Sequence, residues 1–106
     1  MYVNSMLIEY ELQGIQFVWD SHKSDSNVQK RGISFDTACE AFFDPFLQSV
    51  EVKEVDEEFR EAIMGMTVAW KLLYVVYTIR SEDKIRIISA RPVTKSERIK
   101  YEEYWS

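Results

Sequence analysis

Apolar residues recur along the chain with two different periods. Residues 7–11 alternate weakly, and residues 15–19 form a strand-like run after the turn signal Gln13-Gly14. This pattern is compatible with a short N-terminal hairpin. From residue 46 onwards the chain predicts strands at 46–55, 59–66, 70–79 and 84–90. Short turns between successive strands imply antiparallel pairing.

Helical spacing is found in residues 20–43 and near the C-terminus. Asp20 is a good N-cap for a polar helix that extends to Lys30, with Gly32 at its C′ position. A capping box of Thr94 and Glu97 begins the last helix, after the break at Pro92. Between them, a second helix has apolar residues at three- and four-residue spacing: Phe35, Ala38, Cys39 and Phe42.

These elements predict an α+β fold with two N-terminal helices, a four-stranded antiparallel sheet and a C-terminal helix. Helices packed on one sheet face would leave the other face open for a substrate. The chain has 106 residues and is 46% hydrophobic, which is typical of a folded globular protein. We therefore expect one domain, residues 1–106, with a single core.

Cysteine usage and the length of apolar runs bear on the cellular compartment. Cys39 is the only cysteine and cannot form an internal disulfide. The N-terminal residues lack the basic and long apolar regions of a signal peptide. The apolar run at 72–79 is far shorter than the roughly 20 residues of a membrane span. We therefore expect a cytoplasmic protein with no membrane partner.

Charge is distributed unevenly along the chain. The formal net charge is −5, but residues 80–100 contain seven Lys and Arg against three Asp and Glu, whereas residues 1–79 contain six against 13. A basic segment, residues 80–98, thus belongs to an acidic body, and this asymmetry fits a basic face for an anionic substrate such as RNA. Arg80 and Arg98, at its two ends, are predicted to contact that substrate. An ordinary solvated basic strand and helix is the alternative.

Arg86 lies between Ile85 and Ile87 in the last predicted strand. A cation there is costly unless it meets an anion or reaches solvent. Its planar guanidinium can hold a phosphate through two hydrogen bonds, and a structural ion pair is the alternative. Strict alternation places Arg91 on the opposite face, so the two arginines can share a site only if the strand bends or if Arg91 lies beyond its regular end.

Three further side chains are candidates for a site near Arg86. Tyr77 and Arg80 end the preceding strand, and Arg60 opens another one. Tyrosine can stack on a base or donate a proton, whereas a core position is the common alternative for it. For Arg60 the alternative is a surface ion pair. His22, the only histidine, is interpreted as a surface residue.

Signatures of metal and cofactor enzymes are absent from the sequence. No Cys and His residues have metal-ligand spacing, and there is no Gly-rich phosphate loop and no Ser-His-Asp set. We expect neither a metal nor a cofactor. The remaining chemistry is metal-free: arginine, lysine and tyrosine can neutralise a phosphorane-like transition state while the RNA 2′-hydroxyl attacks.

Several stretches share an order and spacing that are specific to one family. The strongest is Arg86-Ile87-Ile88-Ser89-Ala90-Arg91. The others are Phe17-Val18-Trp19-Asp20, Lys23, Asn27, Lys30-Arg31-Gly32-Ile33-Ser34-Phe35, Ala38, Phe43-Asp44-Pro45, Glu58, Arg60, Gly65, Thr94, Glu97-Arg98 and Tyr101. Together they resemble the BrnT family of bacterial type II toxins, which act as ribonucleases and have a fold similar to RelE-like toxins.

The resemblance implies metal-independent cleavage of RNA, arrest of translation and neutralisation by a BrnA-type antitoxin. In that family the antitoxin carries the DNA-binding part, so DNA would be contacted only indirectly. The resemblance also implies that Arg60, Arg86 and Arg91 hold phosphate. Tyr77 and Lys30 are further candidates for proton transfer or substrate contact.

The chain departs from the family pattern at two places. The family commonly has Lys-His-Gly where this chain has Lys30-Arg31-Gly32, and residues 1–16 are predicted to be an N-terminal extension. Two other functions stay open beside the toxin ribonuclease. One is a catalytically silent module that binds an antitoxin-like partner, and the other is an RNA-binding protein without cleavage.

Overall fold

Six strands form one mixed sheet in the computed structural model, which describes residues 4–105. In chain order the strands are Leu7–Leu12 (β1), Ile15–Asp20 (β2), Gln48–Val55 (β3), Glu58–Met66 (β4), Leu72–Ile79 (β5) and Ile85–Pro92 (β6). The helices are Ser21–Arg31 (α1), Phe35–Glu40 (α2) and Lys95–Trp105 (α3), with 3₁₀ turns at Ala41–Phe43 and Ser81–Asp83. Across the sheet the strand order is β1-β2-β6-β5-β4-β3.

The predicted four-stranded antiparallel sheet with two N-terminal helices is wrong. A hairpin of β1 and β2 precedes α1 and extends the sheet to six strands. The sheet is mixed because β2 runs parallel to β6, with Phe17 opposite Ile85 and Val18 opposite Arg86. Of the predicted N-terminal extension, residues 1–3 lie outside the described residues, and residues 7–12 form the outer strand of this sheet.

The main core lies on one face of the sheet, the helix face, under α2 and the 3₁₀ turn that follows it. Buried sheet residues such as Phe17, Val75 and Ile87 pack there against Phe35. Close approach of the 3₁₀ turn depends on Gly65 in β4, because a Cβ atom at that position would lie 2.1 Å from a backbone oxygen of the turn. A larger residue at position 65 would push the turn off the sheet.

The opposite face, the open face, is covered only at one end, by α3. Tyr101 of α3 is buried against Met64 and Leu72 there, and its hydroxyl donates a hydrogen bond to the Asp44 carboxylate. The expectation that all helices pack on one face is therefore wrong, although most of the open face has no helix over it. No helix in residues 4–105 has the length and apolar character needed to span a membrane.

The Asn27 side chain in α1 makes hydrogen bonds to the backbone of β6, as a neighbouring strand would. The pairing of β2 with β6 ends at Val18, and beyond that point α1 lies beside β6. The Asn27 amide accepts a hydrogen bond from Ala90 N (3.2 Å), donates to Ala90 O (2.9 Å) and donates to Ile33 O (2.8 Å). The side chain is buried, so these bonds satisfy backbone groups that would otherwise lack partners.

We predict that Asn27→Ala destabilises the fold by about 2–4 kcal/mol, because three buried backbone groups lose their partner. Gln29→Ala, at an exposed position of the same helix, is the matched control and should change the free energy of unfolding by less than about 0.5 kcal/mol. Urea denaturation measures both values. Equal stability of the two variants would contradict the role assigned to Asn27.

Candidate functional site

An extra residue in β6 places Arg86 and Arg91 on the same face of the sheet. Val76 pairs with Ser89 and Tyr77 pairs with Ile87, so Ile88 has no partner on β5. Such a bulge shifts the alternation of side chains by one position. In a regular strand, Arg86 and Arg91 would lie on different faces of the sheet. Here both lie on the open face, where Arg86 pairs with Thr78 and Arg91 pairs with Tyr74.

Arg60, Thr78 and Arg86 form a row across three neighbouring strands of the open face, which we call the arginine row. Thr78 pairs with Arg86, and the register of Glu61 with Tyr77 continues to place Arg60 beside Thr78. Two strand spacings separate the arginine backbones by about 10 Å, which long side chains can bridge. Lys53 in β3 pairs with Arg60 and extends the row by one more cation.

The arginine row contains buried polar atoms that make no hydrogen bond to the described residues. In residues 4–105, two buried side-chain polar atoms make no hydrogen bond, and they are Arg60 Nε and Thr78 Oγ1. Thr78 is 1% exposed. Arg86 is half-buried and has neither an ion-pair nor a hydrogen-bond partner within the described part of the chain. Unsatisfied buried groups are rare in proteins, and a catalytic role or a bound ion is one explanation for them.

Glu58 is a carboxylate at the edge of this row. Its Oε2 lies 3.0 Å from Arg80 Nη1, and its Oε1 lies 4.0 Å from Arg60 Nε, which is too long for a hydrogen bond. Beside Arg60, a cavity of about 220 Å³ opens over Ala62 and Val76. The cation Arg80 thus belongs to the surroundings of the row, but it is already paired.

Arg91 is fully engaged in a structural contact. Its Nη1 and Nη2 donate to the two Glu97 carboxylate oxygens at 2.8 and 2.9 Å, and its guanidinium lies 4.1 Å from the centre of the Tyr74 ring. The hydrogen bonds from Arg91 lower the pKa of Glu97 from its ordinary 4.5 to about 2. The predicted role of Arg91 in holding phosphate stays a prediction, and the contact seen here joins β6 to α3.

The Tyr74 hydroxyl near Arg91 donates a hydrogen bond to Glu51 at 2.7 Å. Burial, together with the nearby carboxylate, raises the pKa of Tyr74 to about 12. The phenol therefore keeps its proton at neutral pH. Tyr74 lies on the open face, as Arg86 does, and sequence reasoning missed it.

Tyr77, by contrast, lies on the helix face. Its ring packs edge-to-face on Phe42 with 5.0 Å between centroids, and burial raises its pKa. Tyr77 is therefore on the opposite side of the sheet from the arginine row. The core position, which was the alternative interpretation, is the one that the structure shows.

Lys30 and Arg98 lie away from the row. Lys30 lines a cavity of about 470 Å³ between α1 and β6, together with His22, Lys23 and Ser89. Arg98 is exposed on α3 and borders a different cavity. Of the predicted site residues, the structure thus brings Arg60, Arg80 and Arg86 together, and it places the others elsewhere.

Sequence reasoning also missed Thr78. The run at 72–79 is apolar on both faces, so alternation alone could not show which side chains share a face with Arg86. The sequence did contain a signal: Thr78 is the only Ser or Thr in this strand, and it lies two residues before Arg80. Residues two apart on a strand lie on the same face.

Comparison with known proteins gives the family. Residues 19–97 match the family described as "Ribonuclease toxin, BrnT, of type II toxin-antitoxin system". The chain belongs to the BrnT family. For this BrnT-family chain, the matched region contains the whole arginine row and ends at Glu97, the partner of Arg91. The predicted resemblance is thereby confirmed.

The chain was also compared with solved structures and with curated proteins. The crystal structure of the Brucella abortus ribonuclease toxin BrnT is 18% identical in sequence, covers 73% of this chain and 94% of that chain, and superposes with a TM-score of 0.49. No curated protein matches the sequence.

We predict that Glu97→Gln removes an acid-sensitive part of the stability of this BrnT-family chain. A lowered pKa in the folded state stabilises the fold fully above about pH 4.5, and this contribution is lost as the pH falls towards about 2. The loss in the wild type is at most about 3 kcal/mol and is reduced by the partial exposure of the pair.

Urea denaturation between pH 7 and pH 2 measures this effect. The free energy of unfolding of Glu97→Gln should be lower at neutral pH and should fall less steeply with acid than that of the wild type. Glu102→Gln, an exposed position on the same helix, is the control and should follow the wild-type profile. Parallel profiles for Glu97→Gln and the wild type would show that the contact with Arg91 contributes nothing.

Proposed function

We propose that this chain cleaves RNA without a metal ion and that Arg60 and Arg86 hold the reacting phosphate on the open face. The observation that carries the proposal is that Arg60 and Arg86 flank Thr78 on the two neighbouring strands of the open face, with Arg60 Nε buried and making no hydrogen bond to the described residues. Guanidinium groups that face one position suit an oxyanion. Membership of a ribonuclease toxin family supports RNA as the source of that anion.

The proposed reaction is an internal displacement at phosphorus. The RNA 2′-oxygen forms a bond to the adjacent phosphorus, the bond from phosphorus to the 5′-oxygen breaks, and the products are a 2′,3′-cyclic phosphate and a 5′-hydroxyl end. The proton of the 2′-hydroxyl is lost to solvent, and the leaving oxygen gains a proton. Negative charge grows on the phosphoryl oxygens in the transition state, where fixed arginines stabilise it most.

The position of the row between strands suits this task. Strands β4, β5 and β6 fix the arginine backbones, and the buried Val18 and Ala62 lie beside them on the same face. Apolar neighbours exclude water and strengthen the attraction between a guanidinium and a phosphate. The site therefore needs little reorganisation when charge develops.

Membership of a type II toxin–antitoxin family implies an antitoxin partner. We propose that the partner is a BrnA-type antitoxin, that free toxin arrests translation in the cytoplasm, and that DNA is contacted only through the antitoxin.

Expression of the chain alone should then stop growth, and co-expression with the antitoxin should restore it. Unimpaired growth at high expression of the folded chain would favour a silent interaction module instead.

We predict that Arg60→Ala and Arg86→Ala each lower kcat/KM for RNA cleavage by about 10²–10³-fold, because each removes a cation that acts on the transition state. Cleavage of a defined RNA is measured with EDTA present. A 2′,3′-cyclic phosphate at the product end, detected by mass spectrometry, identifies the reaction.

The matched control is Lys71→Ala. Lys71 is exposed and precedes β5, so it lies at the opposite end of that strand from Thr78, and its removal should leave cleavage within about twofold of the wild type. Thermal unfolding checks that the arginine variants are folded. Cleavage that survives both arginine substitutions, or that stops when EDTA is added, is incompatible with the proposed mechanism.

A further inference from the structure

We infer that the Thr78 hydroxyl is the central ligand of a single phosphodiester group, bound together with Arg60 Nε and the Arg86 guanidinium. The ligand identity rests on the proposed function, whereas the anion site itself rests on the structure. The sequence analysis did not name this threonine, and the sheet register places it between the two arginines.

The first argument is the burial of a hydroxyl that makes no hydrogen bond to the described residues. Thr78 is 1% exposed, and its Oγ1 has no hydrogen-bond partner within residues 4–105. Valine has nearly the same shape and a high strand propensity, and it would avoid the cost of burying an unbonded hydroxyl. Threonine is thus expected to be less stabilising than valine at this position. Its presence is explained if the hydroxyl binds a ligand.

The second argument is that the two unbonded atoms belong to neighbouring residues on adjacent strands. Arg60 Nε and Thr78 Oγ1 belong to residues that face each other across β4 and β5, where adjacent strands are about 5 Å apart. Two independent packing accidents would not be expected at adjacent positions of one sheet face. A single acceptor between the strands would satisfy both atoms.

The third argument concerns the chemistry of that acceptor. Arg60 Nε–H and the Arg86 guanidinium can only donate, and the Thr78 hydroxyl can donate to the same group. Donors on three consecutive strands of one sheet face can each reach a different oxygen of one group, and a phosphate offers more oxygens than a carboxylate does. Lys53, beside Arg60, adds positive charge at the edge of the site.

Comparison with another buried threonine supports a special role. Thr67 is also buried, but its Oγ1 accepts a hydrogen bond from Lys71 N at 3.2 Å and thereby holds the turn between β4 and β5. The hydroxyl of Thr67 is therefore structural, and the hydroxyl of Thr78 is not. This difference makes Thr67→Val a matched control for Thr78→Val.

The test combines stability, binding of inorganic phosphate and RNA cleavage for Thr78→Val, Thr78→Ser and Thr67→Val. We expect Thr78→Val to keep or raise the unfolding midpoint by a few degrees, roughly 2–5 °C, because it removes an unsatisfied buried hydroxyl. It should weaken phosphate binding at least about tenfold and lower kcat/KM for RNA by about 10–100-fold. Thr78→Ser, which keeps the hydroxyl, should retain both properties within about threefold.

Thr67→Val should lower the unfolding midpoint and leave phosphate binding unchanged. Phosphate binding is followed by isothermal titration and by chemical shifts of the arginine side chains, so this readout does not depend on cleavage. The inference is overturned if Thr78→Val binds phosphate as the wild type does, if it is destabilised as strongly as Thr67→Val, or if the wild type binds no phosphate.

These outcomes separate the inference from the proposed function. A wild-type protein that binds phosphate through Thr78 but leaves RNA intact would refute the ribonuclease proposal and retain the anion site. A wild-type protein that cleaves RNA, with Thr78→Val cleaving equally well, would refute the inference and retain the ribonuclease. Binding of an RNA oligonucleotide that competes with inorganic phosphate shows that both use the same site.

Discussion

One unpaired residue in β6 decides which side chains share the open face. Ile88 has no partner on β5, and the alternation of side chains is shifted by one position beyond it. Arg86 remains beside Thr78, and Arg91 comes to lie on the same face as Arg86, over Tyr74. Without this bulge, Arg91 would point into the core, and α3 would lose its ionic contact with the sheet.

The two arginines on this face then take different tasks. Arg91 is held by two hydrogen bonds to Glu97 and by the Tyr74 ring, and it secures the start of α3. Arg86 has no such partner in the described part of the chain and is available to a ligand. Two arginines of one short sequence motif thus have different roles, because Arg91 contacts a carboxylate of α3 and Arg86 does not.

The local parts of the fold could be predicted from the sequence. Asp20 caps α1, Gly32 ends it in a left-handed conformation, and Thr94 with Glu97 forms the capping box of α3, as their residue types indicate. Strands β3 to β6 begin and end within two residues of the predicted runs. These features depend on neighbours in the chain, which sequence patterns report well.

Predictions of features that depend on contacts between distant residues were wrong or missing. The parallel pairing of β2 with β6 joins segments far apart in sequence, and no local pattern reports it. The bulge at Ile88 carries no glycine or proline that would indicate it. Tyr77 was assigned to the site because it lies near the end of the strand before Arg86, whereas its packing on Phe42 places it on the helix face. Arg60 and Arg86 were named from the sequence, but only the sheet showed that Thr78 lies between them.

The placement of the arginine row on β4, β5 and β6 has a consequence for the newly made chain. Its three side chains come together only when β5 has paired on both sides, and β6 in turn needs Asn27 of α1 at its other edge. A chain still emerging from the ribosome therefore has the arginines but not their arrangement. Under the proposed activity, the cell that makes this protein is exposed to cleavage only after the domain has folded. An antitoxin that is present during synthesis can therefore bind the toxin as soon as its site is formed.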